Sequence, residues 1–448
     1  MLNILSIFVL LLAISLGYNF PRKTGWGILL IAPILGPATF TIVPAGILPL
    51  TIYRFAFAAT IGISLSYYKK DTSIKSIFKS NLFKIVFIFS IFIILVSFSD
   101  RFLNLVFTFI PELFLAFILC FILIKDDKDL TKLVKIFVWQ AAIIGIFIVL
   151  EYFSICDIHE IFASTRVNPN LSNIDWMDQS ASLRAEFFRA KGIDGHPVMT
   201  SYRLTFLFPL VLWYSSRGKL IYSIPLFSVI LGLVFLQTRA AFVGIFVALF
   251  FLVIAIAFIK NANIYRKFSF FIKIITIMTI STLVIVMFFP KIIGLATSFT
   301  EKSVLPVFSG QEPAIERKLS RIPRALDFFW AKPLLGYGSP QYVYYELMET
   351  DDLPSPLIYL LSGGLFLGLI YLALILYMPF SIFRLSRSKS LSFTQKKFLS
   401  YATAAFVGGV IVVFSNWQEA HFMIMFMLYI SIYKVFFYKK FDKSLIAH

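Results

Sequence analysis

Long apolar runs dominate this chain, at about 2–17, 26–47, 50–68, 82–99, 102–124, 134–154, 198–214, 220–237, 240–259, 268–289, 356–380, 398–414 and 420–438. Most reach the roughly 17–25 residues a helix needs to cross a bilayer. Lipid offers no water to bond a free amide or carbonyl, so such runs must be helices that satisfy their own backbones. The expected fold is an all-α polytopic integral membrane protein, a single membrane domain over residues 1–448, with 12–13 transmembrane helices. The count turns on 26–47, where Pro33, Pro37 and Pro44 allow either a kinked crossing or a segment that dips in and returns. Composition excludes a soluble fold, because charged residues are 14% of the chain, against roughly 25% in soluble domains. The first run starts at Met1 with no basic residues before it and no small-residue cleavage site, which reads as a retained helix.

Lysine and arginine alternate between connections. Basic sets fall at Arg22-Lys23, Lys69 to Lys79, Lys125 to Lys135, Arg217 and Lys219, Lys260 to Lys267, Arg384 to Lys397, and Lys439 to Lys443. The positive-inside rule makes this set cytoplasmic. The net charge of +18 is then a topology signal, with no nucleic-acid partner implied. Two long loops, 155–197 and 290–355, fall together on the outer face. Loops of that length usually carry function. The larger holds seven basic and eight acidic residues, a mixed surface expected to contain amphipathic helices lying on the bilayer.

Within that loop, Arg317, Lys318, Arg321 and Arg324 are spaced so that a helix presents them on one face. Lys332-Pro333-Leu334-Leu335-Gly336-Tyr337-Gly338 must end that helix, since Pro blocks continuation and two glycines permit a tight turn. A cationic face at a membrane surface suits an anion, phosphate first. Farther on, Tyr342, Tyr344 and Tyr345 suit sugar stacking, and Glu349, Asp351 and Asp352 are candidate bases. A cluster of loop carboxylates can equally be no more than a solvated surface.

Two further outer constellations stand out. In Arg184 to Pro197, Arg189 and Lys191 supply charge, Gly192 and Gly195 let amides approach a ligand, and His196-Pro197 opens the next helix. In Gln237-Thr238-Arg239-Ala240-Ala241, an arginine is pinned between two helices by a connection too short to leave the bundle. For both, the competing reading is a basic residue snorkelling to the interface. Cys120 and Cys156 are not expected to pair. Four histidines in no cluster, with no CxxC or HExxH, give no metal site, and no P-loop or GxGxxG points to a nucleotide cofactor.

Three motifs taken in order carry a resemblance: Arg189-x-x-Gly192-x-x-Gly195-His196-Pro197; Thr238-Arg239-Ala240-Ala241; and Trp330-x-x-Pro333-Leu334-Leu335-Gly336-Tyr337-Gly338. A Gly-rich apolar helix, Tyr359 to Gly368, follows them. Over about 185–370 the set resembles the O-antigen polymerase and ligase superfamily, which includes Wzy-type polysaccharide polymerases. The resemblance implies a GT-C-like membrane glycosyltransferase of the bacterial inner membrane, joining glycans carried on undecaprenyl pyrophosphate without cofactor or metal. It also implies pathway partners, a chain-length regulator and a flippase. Ligases usually carry a His-Asn pair where the large loop meets the next helix. Here Asp352-Leu353-Pro354-Ser355-Pro356 stands there, which favours a polymerase.

On that reading Arg239, Arg321 and Arg324 are the catalytic candidates, and Arg189, His196, Arg317, Tyr337 and Asp352 bind substrate. Fixed guanidinium groups would stabilise charge developing on a leaving pyrophosphate. A transporter of lipid-linked glycan is the rival class, but transporters more often show charges buried mid-helix and inverted repeats. No such repeat is visible. A structural scaffold would not need arginines fixed at three outer sites.

Overall fold

The computed structural model describes residues 4–35, 41–43, 50–68, 81–96, 109–155, 183–184, 187–188, 190, 192, 197–218, 220–236, 238–257, 313–338, 340–343, 347–348, 354–415 and 422–438. Apolar helices make up most of them: α1 (Ile4–Asn19), α2 (Pro21–Leu35), α3 (Ile52–Tyr68), α4 (Asn81–Val96), α5 (Phe109–Leu123), α6 (Asp127–Tyr152), α7 (Pro197–Ser215), α8 (Ile224–Leu236) and α9 (Arg239–Ala257). The amphipathic α10 (Pro313–Ala331) follows, then α11 (Ser355–Ser386), α12 (Phe393–Ser415) and α13 (Phe422–Ile432), which runs on as a π-helical turn, Tyr433–Tyr438. Two small antiparallel pairs, Thr41–Val43 with Leu50–Thr51 and Leu183–Arg184 with Phe187–Phe188, are the strands among the described residues. The expected helical membrane fold is what forms. Among the described residues α6, α11 and α12 are long and apolar enough on their own to cross a membrane, and five other apolar helices are shorter. The apolar run 268–289, Cys156 and most of the two long loops lie outside the described residues.

The run 26–47 does not form one helix. Pro21 opens α2, where its missing amide costs nothing, and the helix stops at Leu35, ahead of Gly36-Pro37. The chain then pairs Thr41–Val43 with Leu50–Thr51 before α3. Arg22 and Lys23 therefore sit in the first turn of α2 rather than in a loop.

The centre of the bundle is α7, whose residues from Thr200 to Tyr214 are all buried. A helix apolar all round belongs inside, and α7 packs against α6, α8, α9 and α12. Small residues set the close crossings. A Cβ on Gly17 of α1 would strike the Ala59 carbonyl of α3, and one on Gly62 of α3 would strike the Ile14 carbonyl of α1. With Ala13 and Ala58 four residues earlier, this is a small-xxx-small contact on both helices.

Among the described residues, the helix ends that carry Arg22, Lys128 and Arg217 gather on one side of the bundle. Arg22 bridges Asp129 at 3.0 Å, Gln395 donates to Asp127 at 2.8 Å, and Arg217 lies 4.0 Å over the Trp213 ring. The 26-residue α6 starts at this end and rises about 39 Å, at 1.5 Å per residue, to finish at the other. Since α11 leads into α12 at Gln395, the beginning of α11 also lies at the far end.

Candidate functional site

The far end is organised by α10 and the turn that follows it. Ala325 and Phe329 face inward and pack with Val343, Met348, Ile358 and Leu361 in a small core separate from the main one. Arg324, Leu326, Asp327 and Trp330 face outward. The helix ends at Ala331, where the proline and glycines of the sequence require it to end. The turn is closed by the Gly336 amide on the Lys332 carbonyl at 3.1 Å, and Gly336 and Gly338 both take positive φ, 65° and 123°.

This turn docks into a break in α11. Gly363 and Gly364 leave helical geometry, with Gly364 at φ 67° and ψ −162°. A break in an apolar helix frees carbonyls and amides that need new partners, and the turn supplies them. The Tyr337 amide donates to the Leu361 carbonyl at 2.8 Å, Gly338 to Ser362 at 3.1 Å, and Leu365 to Pro333 at 2.8 Å. A Cβ on Gly336 would collide with the Ser362 and Leu361 carbonyls, and one on Gly364 with those of Leu334 and Pro333. The Pro-Leu-Leu-Gly segment and the Gly-rich helix thus form one backbone joint.

Above the joint stands a row of rings and cations. The Arg324 guanidinium lies 5.7 Å from the Phe328 ring centre, Phe328 meets Tyr337 edge-on at 5.7 Å, and the Lys332 ammonium sits 4.7 Å over Tyr337. Tyr337 is half-buried, held by its own amide and both neighbours. Arg321, one turn before Ala325, is half-buried, whereas Arg324 is exposed. Arg317 sits on α10 one turn earlier; its side chain lies outside the described residues.

A second group builds on α6 and α7. Glu151, 6% exposed at the end of α6, accepts the Gly192 amide at 2.8 Å. Gly192 has φ 71°, and a Cβ there would run into the side chain of Thr200. One helical turn beyond Thr200 is Arg203, at 1% exposure the largest fully buried side chain among the described residues. Glu151 therefore fixes the middle of the Arg189 to Pro197 motif. Arg189 and His196 themselves, like Asp352, lie outside the described residues.

Arg239 is the first residue of α9. The Thr238 carbonyl accepts the Ala241 amide at 3.1 Å and the Phe242 amide at 3.4 Å, which makes Thr238 the cap and Arg239 the first helical position. A cation there opposes the positive end of the helix dipole, so helix stability does not explain it. A helix N-terminus is a place where backbone amides can meet an anion. The Arg239 side chain lies outside the described residues.

Sequence reasoning missed Glu151, Arg203 and Lys332. The signal for the first two was available: an ionisable residue inside an apolar run faces the protein interior and is retained for use. Glu151 lies near the end of the run 134–154 and Arg203 lies within 198–214.

Fold and site together define a polytopic helical membrane protein, with a cationic turn docked on a broken helix at the end away from Arg22, Arg217 and the start of α6. Residues 224–360 match the family model described as O-Antigen ligase, which supports the resemblance to the polymerase and ligase superfamily and an O-antigen ligase/polymerase-type membrane enzyme. The matched span includes Arg239, α10 with its three arginines, the docked turn and the opening of α11. No curated protein and no solved structure matches the chain.

Proposed function

We propose that the protein is a membrane glycosyltransferase that polymerises undecaprenyl-pyrophosphate-linked oligosaccharide repeat units at the outer leaflet of the bacterial cytoplasmic membrane. The observation that carries this reading is the joint between the Pro333 to Gly338 turn and the Gly363-Gly364 break. It holds Arg321, Arg324, Lys332 and Tyr337 at the end of the bundle where α9 begins with Arg239.

In the reaction, a hydroxyl of the acceptor sugar attacks the anomeric carbon of the donor. The bond to the pyrophosphate oxygen breaks, and the hydroxyl proton passes to a base, with Asp352 and His196 as the candidates. Negative charge grows on the departing pyrophosphate. Arg239, together with Arg321 or Arg324, is assigned to hold that charge, with Arg189 and Arg317 as further contacts. Fixed guanidinium groups at a water-poor membrane edge stabilise such charge better than mobile water does. Tyr337 and Phe328 offer ring faces to the sugar. No metal is assigned a part.

Ligase chemistry is the second reading, favoured by the description of the matched family. The polymerase reading rests on Asp352-Leu353-Pro354-Ser355-Pro356, which stands where ligases usually carry His-Asn. The surface glycan of a deletion strain separates the two. A single repeat unit left on the lipid anchor means polymerase, and accumulation of lipid-linked polymer means ligase. Unchanged glycan would refute both.

A further inference from the structure

The start of α6, at the basic end of the bundle, holds a cleft that the reaction does not use. It has a volume of about 400 Å³ and is lined by Asp127, Lys128, Thr131, Lys132 and Lys135. Lys128, Lys132 and Lys135 lie four and three residues apart, on one face of the helix. Each nearby carboxylate already has a hydrogen-bond or ion-pair partner. Asp126 caps α6 through the Lys128 and Asp129 amides, both at 2.9 Å. Asp127 accepts from Gln395 at 2.8 Å. Asp129 is bridged to Arg22 at 3.0 Å and takes the Lys125 amide at 3.1 Å. Among the described residues none of the three lysines has an ion pair.

Like charges four and three residues apart on one helix face repel one another, a modest cost. A general excess of lysine on one side of a membrane does not require them to line one cleft. An aromatic ring backs the middle lysine. The Lys132 ammonium sits 4.1 Å over the Trp26 ring, and Trp26 is 8% exposed, with an indole N–H that finds no acceptor among the described residues. The cleft therefore has three cationic donors and a hydroxyl from Thr131, with the Asp127 carboxylate also in its lining.

We propose that this cleft binds the phosphodiester headgroup of an anionic phospholipid. The shared chemistry is a phosphate group, and the lipid is preferred to free phosphate because basic clefts at the headgroup level are filled from the leaflet. It is distinct from the glycan site, since α6 separates the two ends.

The test uses the purified full-length protein in neutral detergent, titrated with phosphatidylglycerol, with phosphatidylcholine or with inorganic phosphate, and bound lipid counted by native mass spectrometry. Phosphatidylglycerol should be retained over phosphatidylcholine, and Lys128→Gln/Lys132→Gln/Lys135→Gln should weaken it by about tenfold or more, each lysine near a lipid surface contributing on the scale expected for such contacts. Lys132→Arg, which keeps the charge, should retain it, and guards against loss through misfolding. Equal retention of the two lipids, an unaffected triple variant, or competition by millimolar inorganic phosphate as strong as that of the lipid would overturn the proposal.

Discussion

The Leu365 amide donates to the Pro333 carbonyl at 2.8 Å, so residues 32 positions apart hold the turn after α10 in the break of α11. Neither side of this joint stands alone. The turn satisfies backbone groups that the break leaves, and its positive-φ glycines leave room for that close backbone contact.

The glycines of the joint are therefore expected to be intolerant. Gly336→Ala and Gly364→Ala place a Cβ against carbonyls at positive φ, a conformation that alone costs roughly 1–2 kcal/mol. Both should lower the melting temperature of the purified protein and abolish glycan extension. Gly27→Ala, where a Cβ meets nothing within 4 Å, is the matched control and should do neither.

Glu151 should act through its acceptor oxygen rather than its charge. Glu151→Gln keeps an oxygen for the Gly192 amide, whereas Glu151→Ala leaves a buried N–H unpaired, a loss of roughly 1–3 kcal/mol. Thermal unfolding should rank wild type and Glu151→Gln close together, with Glu151→Ala clearly below. Equal melting temperatures for all three would remove Glu151 from the support of the motif.

The arginines of α10 are expected to differ. Arg324 is exposed beside the Phe328 ring, where it can reach a ligand, while Arg321 is half-buried. Arg324→Ala should lower turnover by roughly two orders of magnitude with a smaller change in substrate binding, as when a contact that strengthens in the transition state is lost. Single-turnover and binding assays on the lipid-linked repeat unit separate the two effects.

Much of this was legible in the residues. Apolar length gave the helices, and the proline and glycines after Trp330 gave the end of α10 at Ala331. The spacing from Arg317 to Arg324 gave an amphipathic helix. The docking of the turn onto Gly363-Gly364 was not legible, although both segments were singled out, because a contact between distant backbones leaves no periodic trace. Residues 26–47 showed the opposite failure. Hydropathy alone joined them, while Gly36-Pro37 ended the helix. Arg203 was hidden for a simpler reason: one arginine scarcely lowers the mean of an apolar run, and its burial depends on the four helices around α7.

Arg239 carries the centre of the functional account. The most direct measurement gives purified protein an undecaprenyl-pyrophosphate-linked repeat unit, in chelator, and follows the glycan ladder. Wild type should extend the unit, Arg239→Lys should extend it poorly because an ammonium lacks the planar fork, and Arg239→Ala should leave it as a single repeat while remaining folded in the membrane. A full ladder from Arg239→Ala, or no ladder from wild type until metal is restored, would contradict the metal-free arginine mechanism.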